Sequence, residues 1–485
     1  MISFIVGIVV LIIGYVIYGK FTENVLGIDT NAATPAVRIN DGVDFVVIPT
    51  WRAVLIQFLN IAGTGPIFGA IAGALFGPAA FAWIVFGCVL GGAVHDYFSG
   101  MLSLRNNGST IAEIVGIYLG TIPKYIMRVF SIVLLIFVGV VFVYTPAQVL
   151  NTLIDPNNKN IFKIALIAII CYYILATILP IDKIIGTIYP LFGAALLFMG
   201  LGITVMLFVT GEIRDIPEFA FQNMHLSGRT IFPYLFISIA CGAVSGFHAT
   251  QSPLMARCIN NEAAGRKVFF GAMIIEGIVA MIWAAAAMGH FGGITGLAEA
   301  GNAPTVVTKV STQLMGLAGG ILAVLGVVAC PITSGDTAFR SARLAIADAL
   351  NFDQKPIQNR FIIALPLFAI GIALVFWSQT GPENFGIIWR YFSWSNQTLA
   401  TIALWAASAY LAKMAKFYWI ALIPAVFMTA VVTTYIIVAP EGLGLDRSYP
   451  LLGLRFGIAL AAILFVLFMI FIATKQKGIL LKEQR

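Results

Sequence analysis

Charged residues are scarce in this chain, and their scarcity excludes most classes of soluble protein. Only 10% of the 485 residues are Asp, Glu, Lys or Arg, while 60% are hydrophobic. A soluble domain has about 25% charged and about 45–50% apolar residues. The five cysteines are too few for a disulfide-rich fold and are expected to be free thiols. What remains is a protein embedded in a lipid bilayer.

Motifs for catalysis or nucleotide use are also absent. The chain has no Walker loop, no Gly-x-Ser-x-Gly, no His-Glu-x-x-His and no cysteine pair with metal-binding spacing. The net charge is +7, but the basic residues are spread between apolar runs and form no stripe or arm. We therefore expect no enzymatic activity, no cofactor and no nucleic-acid partner.

Long apolar runs predict an all-α polytopic membrane protein with about thirteen transmembrane helices. A span needs about 20 residues, and the runs lack the alternation of a transmembrane barrel. The first run is expected to be retained as a span, because no basic residue precedes it and no cleavage site follows. The segments lie at about 1–19, 52–76, 79–103, 123–150, 161–179, 184–210, 231–257, 267–290, 312–342, 360–378, 386–411, 415–438 and 451–473.

The basic residues also predict the orientation. With the N-terminus outside, 20 of the 28 Lys and Arg residues fall on the inner side and 8 on the outer side. Such a bias marks the cytoplasmic face. We therefore expect a multi-pass protein of the plasma or inner membrane, with the basic tail 475–485 in the cytoplasm. A short interfacial helix is predicted at 110–119, where Thr110 and Glu113 have capping-box spacing.

Two spans carry glycine pairs that are expected to break the helix in mid-membrane. One contains Gly63, Gly65 and Pro66, and the other contains Gly242 and Gly246. Freed backbone groups are tolerated in a membrane only where protein or a water-filled cavity satisfies them. N–H groups after each break could meet an anion, and the carbonyls before it a cation.

The places of the two breaks predict an inverted repeat. Each break opens a block of five spans, and an odd number makes the two blocks cross the membrane in opposite senses. Interrupted segments at matching positions of two inverted halves indicate the substrate site of a secondary transporter. The predicted regions are 1–50 with the leading helix, 51–210 and 211–411 with the two repeats, and 412–485 with two further helices and the tail.

Several polar side chains lie inside the predicted spans. A charge at the centre of a membrane helix costs about 2.5–3.5 kcal/mol, which favours a functional role for Glu276 and for His248 beside the second break. Asp96 and Asp336 lie nearer the inner ends of their spans. For them, pairing with Arg105, or with the later arginines Arg340 and Arg343, is at least as good an explanation as proton transfer.

Five stretches resemble the carbon starvation protein A (CstA) family. They are 61–66 (IAGTGP), 91–96 (GGAVHD), 242–248 (GAVSGFH), 331–343 (PITSGDTAFRSAR) and 389–400 (WRYFSWSNQTLA). The resemblance implies an importer of pyruvate or peptides with a LeuT-like fold of five plus five helices. This chain ends soon after its last span, whereas longer members continue, and His95 stands where many relatives have Gln.

These observations together predict an ion-coupled symporter that imports a small carboxylate such as pyruvate by alternating access. A peptide or amino acid importer of the same fold, and a metabolite-binding channel or sensor, are the alternatives. The coupling ion, H⁺ or Na⁺, and the oligomeric state stay open. Expected substrate-binding residues are Gly63, Thr64, Gly65, Ser245, Gly246, His248 and Asn396. Expected ion-coupling residues are Ala62, Thr333, Ser334, Thr337, Glu276, Asp96 and Asp336, with Na⁺ possible at Thr333, Ser334 and Thr337.

Overall fold

The computed structural model describes residues 1–42, 45–178, 182–350, 352–354, 356–381, 383–445 and 451–483. Side chains of 177–190 and of 475–485 lie outside the described residues, and the predicted basic tail is among them.

Helices make up the membrane part of the chain, and most of them follow one another with short connections, apart from the longer segments 27–49 and 211–230. Each long helix is an apolar run that satisfies its backbone internally, as lipid requires. Sixteen helices are labelled here: α1 (Ile2–Leu26), α2 (Thr50–Ile61), α3 (Gly65–Ala74), α4 (Ala79–Arg105), α5 (Ile111–Leu119), α6 (Thr121–Ile154), α7 (Lys159–Ile178), α8 (Asp182–Thr210), α9 (Ile231–Leu235 with Phe236–Ser238), α10 (Phe247–Ala256), α11 (Glu262–His290), α12 (Ala303–Leu350), α13 (Ile357–Ser378), α14 (Asn384–Lys413), α15 (Trp419–Val438) and α16 (Leu452–Glu483).

The thirteen predicted spans all have helical counterparts in the described part of the chain. Ten helices there are long and apolar enough to cross a membrane, and the bent pair α2–α3 adds an eleventh. The other two counterparts are the broken span formed by α9 and α10, and α14, whose polar run at 393–398 lowers its hydropathy. The prediction of about thirteen spans is confirmed.

The helices around the two breaks form the centre of the bundle. α3 packs against α11, and α10 packs against α2 and α4. The apolar windows of α4 and α11 are 83% and 89% buried, whereas that of α16 is 17% buried. A helix that is apolar all round and buried belongs to a core, and one that is apolar and exposed here faces lipid. α4 and α11 therefore flank the candidate site, and α16 lies at the periphery.

The interfacial helix α5 is present, but its predicted cap is wrong. Thr110 is the N-cap residue and its side chain makes no capping hydrogen bond. Glu113 instead pairs with Lys124, at 2.6 Å, and with Arg128, at 2.5 Å, on the following helix. Two cations on a neighbouring helix hold the carboxylate better than a backbone N–H does, because these hydrogen bonds are charged on both sides.

Candidate functional site

The first break lies between α2 and α3, whose axes meet at 53°. Pro66 lies in the first turn of α3, where its missing N–H costs nothing. An added Cβ on Gly63 would lie 2.5 Å from Cζ of Phe142, and one on Gly65 would lie 2.4 Å from Sγ of Cys241. Glycine is therefore required at both positions, because the first break is packed directly against α6 and against the second break.

The second break covers the residues between α9 and α10, and Gly242 there has a φ of +87°. Asn396, on α14, supplies hydrogen-bond acceptors for the backbone of this break. The backbone carbonyl of Asn396 accepts from the N–H of Gly246 at 3.1 Å, and Oδ1 accepts from the N–H of Phe247 at 2.6 Å. Nδ2 of Asn396 donates to Oγ of Ser245 at 3.1 Å.

These bonds correct one expectation about the second break. The N–H groups of Gly246 and Phe247 do not face an open position for an anion, because Asn396 already pairs with both. A buried N–H is almost always paired, and here one residue of the distant helix α14 supplies both acceptors, through its backbone carbonyl and its side-chain oxygen. Thr64 at the first break differs, since its buried hydroxyl has no hydrogen-bond partner among the described residues.

Four ionisable side chains from three helices meet beside the second break. Nδ1 of His248, on α10, lies 2.8 Å from Oδ2 of Asp96 on α4. Nε2 of the same ring lies 3.2 Å from Oε2 of Glu276 on α11. Nδ1 of His95 lies 2.8 Å from the other oxygen of Asp96. The four side chains are fully buried or nearly so, and they are called the buried ionisable chain below.

The position of Asp96 excludes one of the two explanations of its charge. Arg105 binds Glu262 through two nitrogens, at 2.9 and 2.7 Å, and donates to the hydroxyl of Tyr410. The proposed structural pair between Asp96 and Arg105 is therefore wrong. The two residues are nine positions apart on one helix, about 13 Å along its axis.

Asp336 is placed differently from Asp96. It forms an ion pair with Arg340, one turn further along α12, at 3.2 Å. The pair of Asp336 with Arg340 is one of the structural pairs expected from the sequence as the alternative to a proton role. Arg343, the other arginine expected as a partner, donates to Gln354 at 2.5 Å.

The hydroxyl groups of α12 lie next to the end of α2. Thr333 and Ser334 donate to the carbonyl of Cys330, at 2.7 and 3.1 Å, and Thr337 donates to the carbonyl of Thr333 at 3.2 Å. Ser334 also lies 3.5 Å from the carbonyl of Leu59. Hydroxyls in membrane helices commonly bond their own helix in this way. The carbonyl of Ala62 lies 4.0 Å from Sγ of Cys330, a residue that begins the same helical segment as the three hydroxyl residues.

Sequence reasoning missed the part played by Cys241. Its thiol accepts from Nδ2 of Asn396 at 3.4 Å and lies 3.5 Å from Oγ of Ser245. It also lies within 4.8 Å of the nearest ligand atoms of His248 and Glu276. Such spacing is compatible with a metal ion, and Nε2 of His248 and both carboxylate oxygens of Glu276 make no hydrogen bond among the described residues. The position of Cys241, directly before a glycine in the break, was the available signal.

Comparisons with solved structures identify the fold. The inward-facing conformation of Mhp1 matches with a TM-score of 0.53 at 15% identity, covering 89% of this chain and 92% of that one. A manganese transporter mutant from Eremococcus coleocola matches with a TM-score of 0.53 at 12% identity, covering 88% and 96%. These likenesses show that the chain has the LeuT-like fold, with an inverted repeat of five helices and a broken helix at the start of each half.

Sequence relatives connect the fold to transport. An uncharacterized membrane protein of Haemophilus influenzae is 46% identical over 323 residues, 56% of this chain and 87% of that protein. A Campylobacter jejuni protein named peptide transporter CstA is 28% identical over 546 residues, 86% of this chain and 77% of that protein. The pyruvate/proton symporter BtsT of Escherichia coli is 28% identical over 341 residues, 56% of this chain and 47% of that protein.

The sequence profile of one family matches almost the whole chain, in segments 1–177, 160–292 and 284–435. These segments include both breaks and every member of the buried ionisable chain. The protein therefore belongs to the family of the carbon starvation protein CstA.

Proposed function

We propose that the protein is a secondary active symporter that imports a small carboxylate, with pyruvate as the first candidate substrate and H⁺ as the coupling ion. The observation that carries this proposal is the position of His248, between Asp96 and Glu276 and shut away from solvent. Two carboxylates and one imidazole change their net charge by one unit whenever they bind or release a proton. In a membrane interior such a change is costly unless a second charge compensates it.

The substrate supplies the compensating charge. A carboxylate brought to the breaks is repelled by the two acidic side chains and attracted by a protonated His248. Proton and carboxylate therefore favour each other's binding, which is the coupling that a symporter requires. The open position for the carboxylate is the first break, where the hydroxyl of Thr64 is buried without a partner and Gly65 begins α3.

Each remaining site residue has a defined part in the proposal. Gly65 lets the first break approach the second, and Gly63 lets the first break approach α6. Ser245, Gly246 and Asn396 hold the second break in shape, so that His248 is presented to its two carboxylates. Alternating access then follows when the helices carrying the breaks rock against the rest of the bundle.

Peptide import is the second candidate function. The similarity to relatives named peptide transporter CstA extends over most of their length, for example 77% of the Campylobacter jejuni protein. A peptide presents the same terminal carboxylate to the first break, so the two substrates differ in size and in the positive amino group of the peptide.

Sodium is the alternative coupling ion. Thr333, Ser334 and Thr337 with the carbonyl of Ala62 form the candidate ligand set, and hard oxygen ligands suit a small cation. Their hydroxyls already donate to carbonyls of α12, so sodium binding would have to use their remaining lone pairs.

The orientation is proposed from charge alone. The N-terminus is placed outside and the C-terminus in the cytoplasm, with the two repeats at 51–210 and 211–411. Fusing a reporter that is active only outside or only inside the cell to each terminus tests this orientation.

Uptake into proteoliposomes tests the proposed function. Purified protein is reconstituted, an inward H⁺ gradient or an inward Na⁺ gradient is imposed separately, and labelled pyruvate is followed with time. We expect accumulation above the outside concentration under the H⁺ gradient only. Accumulation under the Na⁺ gradient only would contradict H⁺ coupling. No accumulation under either gradient would contradict pyruvate as the substrate, and dipeptides are then tested in the same assay.

A further inference from the structure

A cavity of about 210 Å³ lies on the proposed outer side of the bundle, next to the two breaks. It is called the outer cavity, and its lining includes Phe68, Arg229, Tyr234, Trp389, Arg390 and Ser393. The lining comes from α3, α6, α9, α12, α14 and α15, together with Arg229 before α9 and Asn302 before α12. The outer cavity therefore touches both repeats.

The outer cavity lies within one helical turn of the candidate site. Phe68 follows Gly65 by three residues on α3, and Ser393 precedes Asn396 by three residues on α14. Three residues of helix rise by about 4.5 Å. The rings of Phe68 and Trp389 pack with their centroids 5.9 Å apart. Aromatic side chains thus line the cavity at its closest approach to the first break.

The two arginines of the outer cavity differ in how their charges are compensated. Nε of Arg390 lies 2.8 Å from Oε1 of Glu441, a side chain that is only 4% exposed. The hydroxyl of Tyr435 donates to the same carboxylate oxygen. Arg390 is therefore neutralised by a buried partner.

Arg229 has no carboxylate partner among the described residues. Its guanidinium lies 6.0 Å from the centroid of the Tyr234 ring, in a cation–π arrangement. The described lining of the outer cavity contains no acidic residue. The cavity consequently carries one positive charge without a carboxylate partner, on an exposed arginine beside an aromatic wall, which suits an anion with a small apolar body.

We propose that the outer cavity is a second binding site, which captures the carboxylate of the substrate through Arg229 before the substrate reaches the breaks. The guanidinium of Arg229 donates to the carboxylate, and the rings of Tyr234 and Trp389 contact the apolar part. Arg390 stays with Glu441 and shapes the wall. This inference rests on the proposed function, since it names a site on the path of the same substrate.

The kinetics of an Arg229→Gln variant test the inference. In proteoliposomes driven by an H⁺ gradient, we expect the KM for pyruvate to rise about two- to five-fold, as for the loss of one exposed ionic contact. The maximal rate should stay unchanged, because the buried ionisable chain is intact. Arg229→Lys should keep most of the affinity. Arg214→Gln is the matched control, because Arg214 is an exposed arginine on the same outer side that does not line the cavity.

Two outcomes would overturn the inference. One is a KM for Arg229→Gln that equals that of the wild type or of Arg214→Gln. The other is a maximal rate that falls with no change in KM, which would indicate a structural role for Arg229.

Equilibrium binding separates this inference from the proposed function. Labelled pyruvate is bound to purified protein without a membrane gradient, and pyruvamide, which lacks the charge, is the competitor. We expect Arg229→Gln to weaken pyruvate binding and pyruvamide to compete poorly. One possible result is that Arg229→Gln loses pyruvate binding while the wild type shows no gradient-driven accumulation. That result would support pyruvate binding in the outer cavity and would contradict the proposed symport. Absence of saturable pyruvate binding by the wild type overturns the inference.

Discussion

Nδ1 of His248 lies 2.8 Å from Oδ2 of Asp96, although the two residues are 152 positions apart in the chain. The contact joins α10, which follows the second break, to α4 of the first repeat. The opposite nitrogen of the ring faces Glu276 on α11. One imidazole thus lies between carboxylates from two helices. Any change in its protonation therefore changes the electrostatic interaction with a carboxylate in each repeat.

Replacing His248 should abolish coupled transport without loss of the protein from the membrane. In His248→Gln, the amide fills similar space but cannot carry a proton, so accumulation of pyruvate under an H⁺ gradient should fall to the background of empty liposomes. His290→Gln is the control, because His290 pairs with Glu212 and Gln313 at the end of α11, away from the breaks. Normal accumulation by His248→Gln would remove His248 from the mechanism.

Replacing Glu276 should separate exchange from accumulation. Glu276→Gln keeps the shape of the side chain and removes the charge that His248 faces at 3.2 Å. We expect exchange of labelled for unlabelled pyruvate to continue, while accumulation under an H⁺ gradient falls at least about ten-fold, since the proton is no longer held by two charges. Loss of both activities to the same degree would indicate that Glu276 serves folding or substrate binding instead.

The sequence predicted the spans and both breaks well, and the physical reasons are local. Twenty apolar residues in a row have few alternatives to a membrane helix. Gly63 and Gly65, directly followed by Pro66, weaken a helix at one point of the sequence. Glycine spacing alone is not sufficient, because Gly200 and Gly202 have the same spacing and lie inside α8. The inverted arrangement followed from counting spans, and no distant contact had to be known.

The partners of the site residues could not be predicted in the same way. Asn396 accepts hydrogen bonds from the second break across the bundle, and the residues that flank it in the sequence do not predict this role. Asp96 lies closer in sequence to Arg105 than to His248, yet helix geometry keeps Arg105 away and tertiary packing brings His248 near. Contacts between helices depend on packing over the whole bundle. The pattern of residues along one segment contains no information about that packing.

Removing the side chain of Asn396 should weaken the second break. Asn396→Ala leaves the buried N–H of Phe247 without its acceptor at 2.6 Å. A buried donor left unpaired costs about 1–3 kcal/mol. We therefore expect a lower midpoint of thermal unfolding in detergent and a lower rate of pyruvate uptake. An unchanged midpoint together with unchanged uptake would show that Asn396 does not hold the break.

A methyl group at Gly246 should be more damaging than one at an ordinary helical glycine. An added Cβ would lie 2.2 Å from the carbonyl oxygen of Asn396 and 2.5 Å from the amide nitrogen of Ala400. Both are backbone atoms, so α14 would have to move. Gly246→Ala should therefore reduce the yield of monodisperse protein and abolish uptake. Gly200→Ala, whose Cβ would meet its nearest atom at 3.5 Å, is the control and should behave as the wild type. Equal behaviour of the two variants would contradict this packing.

The N-terminal end of α1 should detach on acidification. Burial of Glu218 alone raises its pKa, but the N-terminal ammonium and the N–H groups of Ser3 and Ile2 outweigh burial and lower the pKa to about 2. A carboxylate with a lowered pKa stabilises the folded state above its unfolded pKa of about 4.3, and this stabilisation is lost as the pH falls from there toward 2. The thermal midpoint of the wild type should therefore fall as the pH is lowered from about 4.3 toward about 2.

Glu218→Gln isolates this contribution. The variant should show a smaller fall in the thermal midpoint over the same pH range, because its side chain no longer titrates. Identical pH profiles for the two proteins would show that the contact between Glu218 and the N-terminus does not contribute to stability.

Proton movement driven by pyruvate tests the central claim most directly. Proteoliposomes loaded with a pH-sensitive dye, with no H⁺ or Na⁺ gradient imposed, are given pyruvate on the outside only. Symport predicts acidification of the lumen in the wild type and none in His248→Gln. A lumen that stays at its starting pH while labelled pyruvate enters the wild-type vesicles would contradict coupling of the proton to the carboxylate.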